Sequence, residues 1–194
     1  MNFLSHLYLA GDSEGLIVGN FIADSVKGSD YKNYSESIQQ GIILHRAIDT
    51  FTDSHEIVEQ SKQRLREKYK KYAGVIVDIY YDHFLAVNWK DYSQEELSTF
   101  TQNIYKLILK NKDVLPPKSE MFTEYMLRYN ILENYSKLEG IERVLLGMSK
   151  RASFISNMEH SIRDLEEHFD AFEHEFKLFF PELERFVRSK ISNL

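Results

Sequence analysis

Apolar positions along this chain recur at helical spacing, with no strand-like alternation of useful length. Asp12 or Ser13 can cap a helix running to Val26, with Lys27-Gly28 as its stop. Ser35 can cap the next, SESIQQGIILHRAIDTF, in which Ile38, Ile42, Leu44 or Ala47, and Ile48 recur on one side. Asp53 and Glu56 have capping-box spacing and predict a helix through the basic run to about Tyr72. Gly74 then separates it from VIVDIYYDHFLAVNW, apolar enough to be a buried central helix. Ser93 and Glu96 form a second such box, opening a helix to about Lys112. Pro116-Pro117 breaks the pattern within a connection of about ten residues. Three helices are predicted over 119–134, 137–150 and 154–179, and Pro181 suits the first turn of a last one. The fold class is therefore all-α, one domain spanning 1–194.

Composition narrows the chemistry. With no cysteine among 194 residues, disulfides, thiolate nucleophiles and cysteine-ligated metals are excluded. Tyr and Phe together number 25, which predicts an aromatic core. No stretch reaches the roughly 20 apolar residues of a membrane span, and the start MNFLSHLYLAGDSEG lacks a secretion signal. The expectation is a cytoplasmic protein with no membrane partner. A net charge of −6 argues against nucleic-acid binding. Charge is uneven: residues 62–71 hold six basic side chains against one Glu, whereas 159–184 hold nine acidic against two basic. Phosphate loops of the GxxxxGK[ST] and GxGxxG types are missing, as is a GxSxG elbow.

The first half gathers potential ligands in apolar surroundings: His6, Asp24, His45, Asp49, Asp53, His55, Asp78, Asp82 and His83. His45 and Asp49, like Asp78 and Asp82, are four apart and share a helix face, while His83 lies about 100° round from Asp82. Carboxylates among Phe, Ile, Leu and Tyr are costly without compensation, and a divalent cation between facing helices supplies it. Nitrogen and oxygen ligands suit Mn²⁺, Fe²⁺, Mg²⁺ or Zn²⁺ alike. Asp53 also reads as a helix cap, Asp49 as a partner of Arg46, and His55 as a surface group or substrate contact. His160, His168 and His174 read as solvated or packing residues. Arg46 and Lys27 are candidate cationic donors to a phosphate. Such a set suits phosphoester hydrolysis.

The motifs NFLSHLYLA, GNFIADSVKG, GIILHRAID, FTDSH and YYDHFLAVNW span residues 2–89. Together and in this order they resemble the acyl carrier protein phosphodiesterase family, and RVLLGMSKR at 143–151 agrees more weakly. The resemblance implies a metal-dependent phosphodiesterase, typically assisted by Mn²⁺, with a helical architecture distantly similar to HD-domain phosphohydrolases. The implied reaction releases 4′-phosphopantetheine from holo-acyl carrier protein. By the same resemblance His6, Asp24, His45, Asp78 and Asp82 are metal candidates. His45, Arg46, Asp49 and His83 are catalytic or supporting candidates. Glu56 stands where the family pattern has Pro, and 82–83 is Asp-His where the wider superfamily has His-Asp.

Acyl carrier proteins are strongly acidic, so the basic run Lys62, Arg64, Arg66, Lys68, Lys70 and Lys71 reads as a docking strip, with a solvated helix face as the plain alternative. Two other readings stay open: an HD-like phosphohydrolase acting on another phosphodiester or nucleotide, and a non-catalytic helical module binding an acidic partner. The sequence leaves the oligomeric state open.

Overall fold

The computed structural model of the chain describes residues 1–193, and these fold into helices and short 3-10 turns with no strand among them. The helices are α1 (Phe3–Leu9), α2 (Glu14–Ile22), α3 (Glu36–Ser54), α4 (Glu56–Tyr69), α5 (Ala73–Val87), α6 (Leu97–Lys110), α7 (Pro117–Arg128), α8 (Ile131–Asn134), α9 (Leu138–Arg151), α10 (Ile162–Glu167) and α11 (Phe169–Ile191). None is long and apolar enough to cross a membrane. They share one contiguous core, aromatic as expected: Tyr80, Tyr81, Phe84, Phe172, Phe176, Phe179 and Phe180 are all fully buried. α5 is the central element, with every residue from Ile79 to Ala86 buried.

α2 and α3 pack through glycine. A Cβ on Gly41 would lie 2.5 Å from the Leu16 carbonyl oxygen and 2.8 Å from the Gly19 Cα. Backbone, which cannot give way, occupies that space. Gly41→Ala should therefore cost about 3 kcal/mol, read as a lower denaturant midpoint in urea unfolding. A loss under about 1 kcal/mol would show that this contact is not tight.

Several boundaries differ from the sequence expectation. α1 has no counterpart among the elements the sequence predicts: seven residues are too few for local propensity to reveal, and tertiary contacts hold the helix. Asp53 caps nothing, because α3 runs on to Ser54 and His55 is the N-cap of α4, its ring nitrogen accepting from Ile57 N. The break after α4 falls at Lys70, whose φ is 51°, and Gly74 lies in the first turn of α5, where the Lys62 side chain passes close by. The second capping box is also absent. Glu96 is the N-cap of α6, and Ser93 Oγ accepts from Glu95 N. Asn130, at φ 44°, divides the predicted 119–134 helix. The 154–179 segment is irregular at first, and α11 then runs through Pro181. Pro181 starts no helix; fully buried Phe179, Phe180 and Leu183 anchor both sides of it, so packing outweighs the one backbone bond that proline forfeits.

Candidate functional site

α1 is placed by a carboxylate far away in sequence. Asp82, fully buried on α5, accepts from Leu4 N at 2.7 Å, Ser5 N at 3.2 Å and Ser5 Oγ at 2.5 Å. It thereby pairs with the donors at the start of that helix, next to the Asn2 cap. Burial pushes its pKa up to about 6, even against these bonds. The next residue in α1, His6, is consequently carried onto α3, where its ring stacks on His45 with centroids 3.9 Å apart and planes 16° apart.

The two imidazoles and Asp49 form a tight group, with one donor atom from each lying within 4.8 Å of the others. His6 Nε2 is 3.1 Å from Asp49 Oδ1, and His45 Nε2 is 3.1 Å from Asp49 Oδ2 and 3.3 Å from Asp24 Oδ1. Burial opposes a charge on His45, but the bonds to Asp24 and Asp49 outweigh it and raise its pKa to about 9. His6 is pushed down to about 4, first by burial and then by the His45 charge beside it. Burial works against ionisation of Asp49 as well, yet the two histidines hold it far below the usual carboxylate range. The bond from His45, with burial opposing, lowers Asp24 too.

Neutral His6 cannot satisfy its surroundings. Its Nδ1 lies 3.1 Å from Asn20 Oδ1, and that amide is oriented by Asn20 Nδ2 donating to Leu16 O at 3.3 Å. A proton on Nδ1 serves Asn20 and turns the Nε2 lone pair onto the Asp49 carboxylate. A proton on Nε2 serves Asp49 and sets the Nδ1 lone pair against an amide oxygen. Each neutral tautomer thus leaves one acceptor facing another. A divalent cation held by His6 and Asp49 would remove the conflict, with Asn20 holding the far side of the ring as metal-bound histidines commonly require. The donor set of two imidazole nitrogens and carboxylate oxygens fits a divalent metal of the Mn, Fe or Zn type. His45 Nδ1, by contrast, is buried with no partner among the described residues.

A cleft of about 250 Å³ opens over this group, lined by Met1, Asn2, Asp24, His45, Asp49, Asp53, Val75, Asp78 and Met148. Asp78 lies 3.0 Å from the Met1 amino nitrogen and Asp53 accepts from Lys62 Nζ at 2.8 Å. Asp24 and Asp49 keep 66% and 41% of their side chains exposed, so this side of the His/Asp group faces solvent.

Asp24, His45, Asp49, Asp53 and Asp78 thus line one cleft, with His6 buried against His45 and Asp49, and others of the sequence candidates lie elsewhere. Asp82 points to the start of α1, away from the cleft, because that helix end offers three donors at once. His83 is buried one position round α5, its Nδ1 2.7 Å from Tyr135 O. Arg46 donates to Gly28 O and Val26 O, both at 3.0 Å, and lies over the Tyr31 ring, so it closes the loop after α2. Lys27 is exposed in that loop. His55 lies elsewhere, edge-on to Phe179.

Nor is the basic run a free strip. Lys62 pairs with Asp53, Arg64 binds both oxygens of Glu175, Arg66 pairs with Glu59 and Lys68 with Asp164. Three of these acids come from other helices, which neutralise the run on folding. Lys70 and Lys71 have no ion pair among the described residues. Sequence reasoning missed Asn20, although it stands inside GNFIADSVKG; a polar residue in an otherwise apolar helix interior was the available signal.

A family model described as acyl carrier protein phosphodiesterase matches residues 1–183. Among curated relatives, an acyl carrier protein phosphodiesterase of Enterobacter sp. (strain 638) is 33% identical over 184 residues, 94% of this chain and 95% of its own. One from Klebsiella pneumoniae (strain 342) is 32% identical over 191 residues, covering 98% of this chain and 99% of its own. One from Photorhabdus laumondii is 34% identical over 182 residues, 93% and 92% of the two chains. No solved structure matches the chain significantly.

Proposed function

The chain belongs to the acyl carrier protein phosphodiesterase family, and from that premise we propose that it hydrolyses the phosphodiester linking 4′-phosphopantetheine to the serine of holo-acyl carrier protein, using a divalent cation. The observation that carries the metal dependence is the His6 geometry: a buried imidazole with an amide oxygen at one ring nitrogen and a carboxylate at the other.

His6, His45 and Asp49 would hold the cation, with Asp24 beside them. A bound divalent metal supplies charge stabilisation to the phosphoryl oxygens, with Mn²⁺ the ion suggested by the family likeness. The chain's own residues do the rest. Asp24 is ionised, half turned to solvent, and placed to accept a hydrogen bond from the attacking water and so orient it. Asn20 fixes the His6 ring, and Asp82 fixes the helix that carries it. Water adds to phosphorus, the bond to the serine oxygen breaks, and that oxygen leaves with a proton. The carrier is left as its apo form and the arm departs as 4′-phosphopantetheine.

The test is direct. Holo-carrier incubated with the protein and Mn²⁺ should lose the arm, seen by mass spectrometry as apo-carrier with an equal amount of free 4′-phosphopantetheine. A chelator should stop the reaction and added Mn²⁺ restore it. Carrier that stays intact with Mn²⁺ present would refute the proposal; turnover insensitive to chelation would refute its metal dependence.

A further inference from the structure

The reading just given requires an acidic protein to approach a cleft rimmed by Asp24, Asp49, Asp53 and Asp78. We propose that the carrier docks instead on an apolar and basic ledge beside that cleft, built from Phe154 and Ile155 with Lys70, Lys71, Lys150 and Arg151. This inference rests on the proposed substrate and adds to it the surface that recognises the protein part.

Ile155 is 90% exposed and Phe154 68% exposed, adjacent in the segment between α9 and α10. Two neighbouring large apolar side chains left in water are a feature of interaction surfaces. Their position is held by specific contacts. Tyr72 Oη donates to Phe154 O at 3.4 Å, and Lys71 Nζ lies 4.2 Å from the Phe154 ring centroid. Ser156 Oγ donates to Ser149 Oγ at 2.9 Å, and Asn157, at φ 54°, turns the chain back.

Charge sets this ledge apart from α4. Lys70, Lys71, Lys150 and Arg151 are exposed and, among the described residues, have no carboxylate in ion-pair distance, whereas Lys62, Arg64, Arg66 and Lys68 are all paired. The ledge is also continuous with the cleft. Arg151 Nη2 sits 3.0 Å from Met148 Sδ, and Met148 lines the cleft together with Val75, four residues beyond Lys71. A partner seated there would gain charge attraction away from the acidic rim and present a serine-linked phosphodiester to the metal group. Exposed apolar residues with Lys71 over one of them, and with Lys70, Lys150 and Arg151 nearby in sequence, call for acidic side chains around an apolar patch, which is the complement an acidic carrier can offer.

The experiment compares wild type with the double variant Lys71→Glu/Ile155→Glu, and with Lys118→Glu on α7 as a surface control. Binding of fluorescently labelled holo-carrier is measured by anisotropy after chelation, and cleavage of bis(4-nitrophenyl) phosphate with Mn²⁺ reports on the cleft alone. The double variant should bind carrier about tenfold or more weakly, with small-diester cleavage near wild type and Lys118→Glu unaffected. Undiminished carrier binding by the double variant would overturn the docking site and leave the proposed reaction standing. Loss of small-diester cleavage in the double variant would overturn the assignment of these residues to docking alone. If that variant instead loses only co-sedimentation with phosphatidylserine vesicles, the ledge is a lipid-binding surface and the proposal fails. A wild type that cleaves the small diester but neither binds nor cleaves the carrier would refute the substrate reading itself, and the ledge with it.

Discussion

Asp49→Asn is expected to abolish turnover of holo-carrier, with kcat falling about a thousandfold or more and Mn²⁺ affinity about a hundredfold. The reason is its position between the imidazoles: one oxygen faces His6 Nε2 and the other His45 Nε2. The amide keeps the shape and loses the charge, and half of its polar face becomes a donor pointed at one of the two imidazoles. The side chain is 41% exposed, so the helical fold should survive, with an unchanged far-ultraviolet circular dichroism spectrum. His45, having lost one of its two carboxylates, should titrate below its present value of about 9 when followed by NMR in the metal-free protein. A variant that turns over within threefold of wild type would remove Asp49 from the site.

Asp82→Ala should show the opposite division, with a large loss of stability arising from a residue outside the cleft. Three donors in α1, namely Leu4 N, Ser5 N and Ser5 Oγ, would be left buried without an acceptor. Each such orphan costs about 1–3 kcal/mol, offset in part because a buried charge disappears. A net loss of about 3 kcal/mol is expected, lowering Tm by roughly 6–12 °C in a chain of this size. The pH dependence carries a distinctive sign. In the fold Asp82 binds its proton more tightly than in the unfolded chain, with a pKa of about 6 against 3.8. Its contribution to stability therefore falls as pH rises between those values and is level on either side. The alanine variant should lack that component of the stability profile. Asp82→Asn, which keeps one acceptor, should recover part of the stability and bind Mn²⁺ within about tenfold of wild type. Metal binding lost as completely in Asp82→Asn as in Asp49→Asn would make Asp82 a ligand and overturn its role as the anchor of α1.

The contrast between these two aspartates marks how far local pattern reaches. The spacing of His45 and Asp49 is a property of one helix, and one turn of α3 does bring their side chains into contact. Asp78 and Asp82 have the same spacing on α5 but separate fates: Asp78 reaches the cleft, while Asp82 is consumed by an N-terminal segment that meets it from 77 and 78 residues away. Nothing within α5 distinguishes them. The basic run shows the same limit. Its charge is plain in the sequence, but Glu175 and Asp164 come from helices about a hundred residues later and neutralise two of its members.

What the sequence by itself determined was the all-α class, the helical course of most segments, the absence of cysteine chemistry, and the membership of His6, Asp24, His45 and Asp49 in a set of candidate ligands. These follow from periodicity and residue chemistry, which act over a few residues. Only the tertiary structure decided that a seven-residue helix forms at the start of the chain, that it carries His6 onto His45, and that Lys71 lies over Phe154 while Lys62, Arg64, Arg66 and Lys68 are paired with acids. Each of those outcomes depends on which buried donors and charges meet across the core. That is settled by packing between distant segments, where burying an unmatched polar group costs more than local propensity can supply.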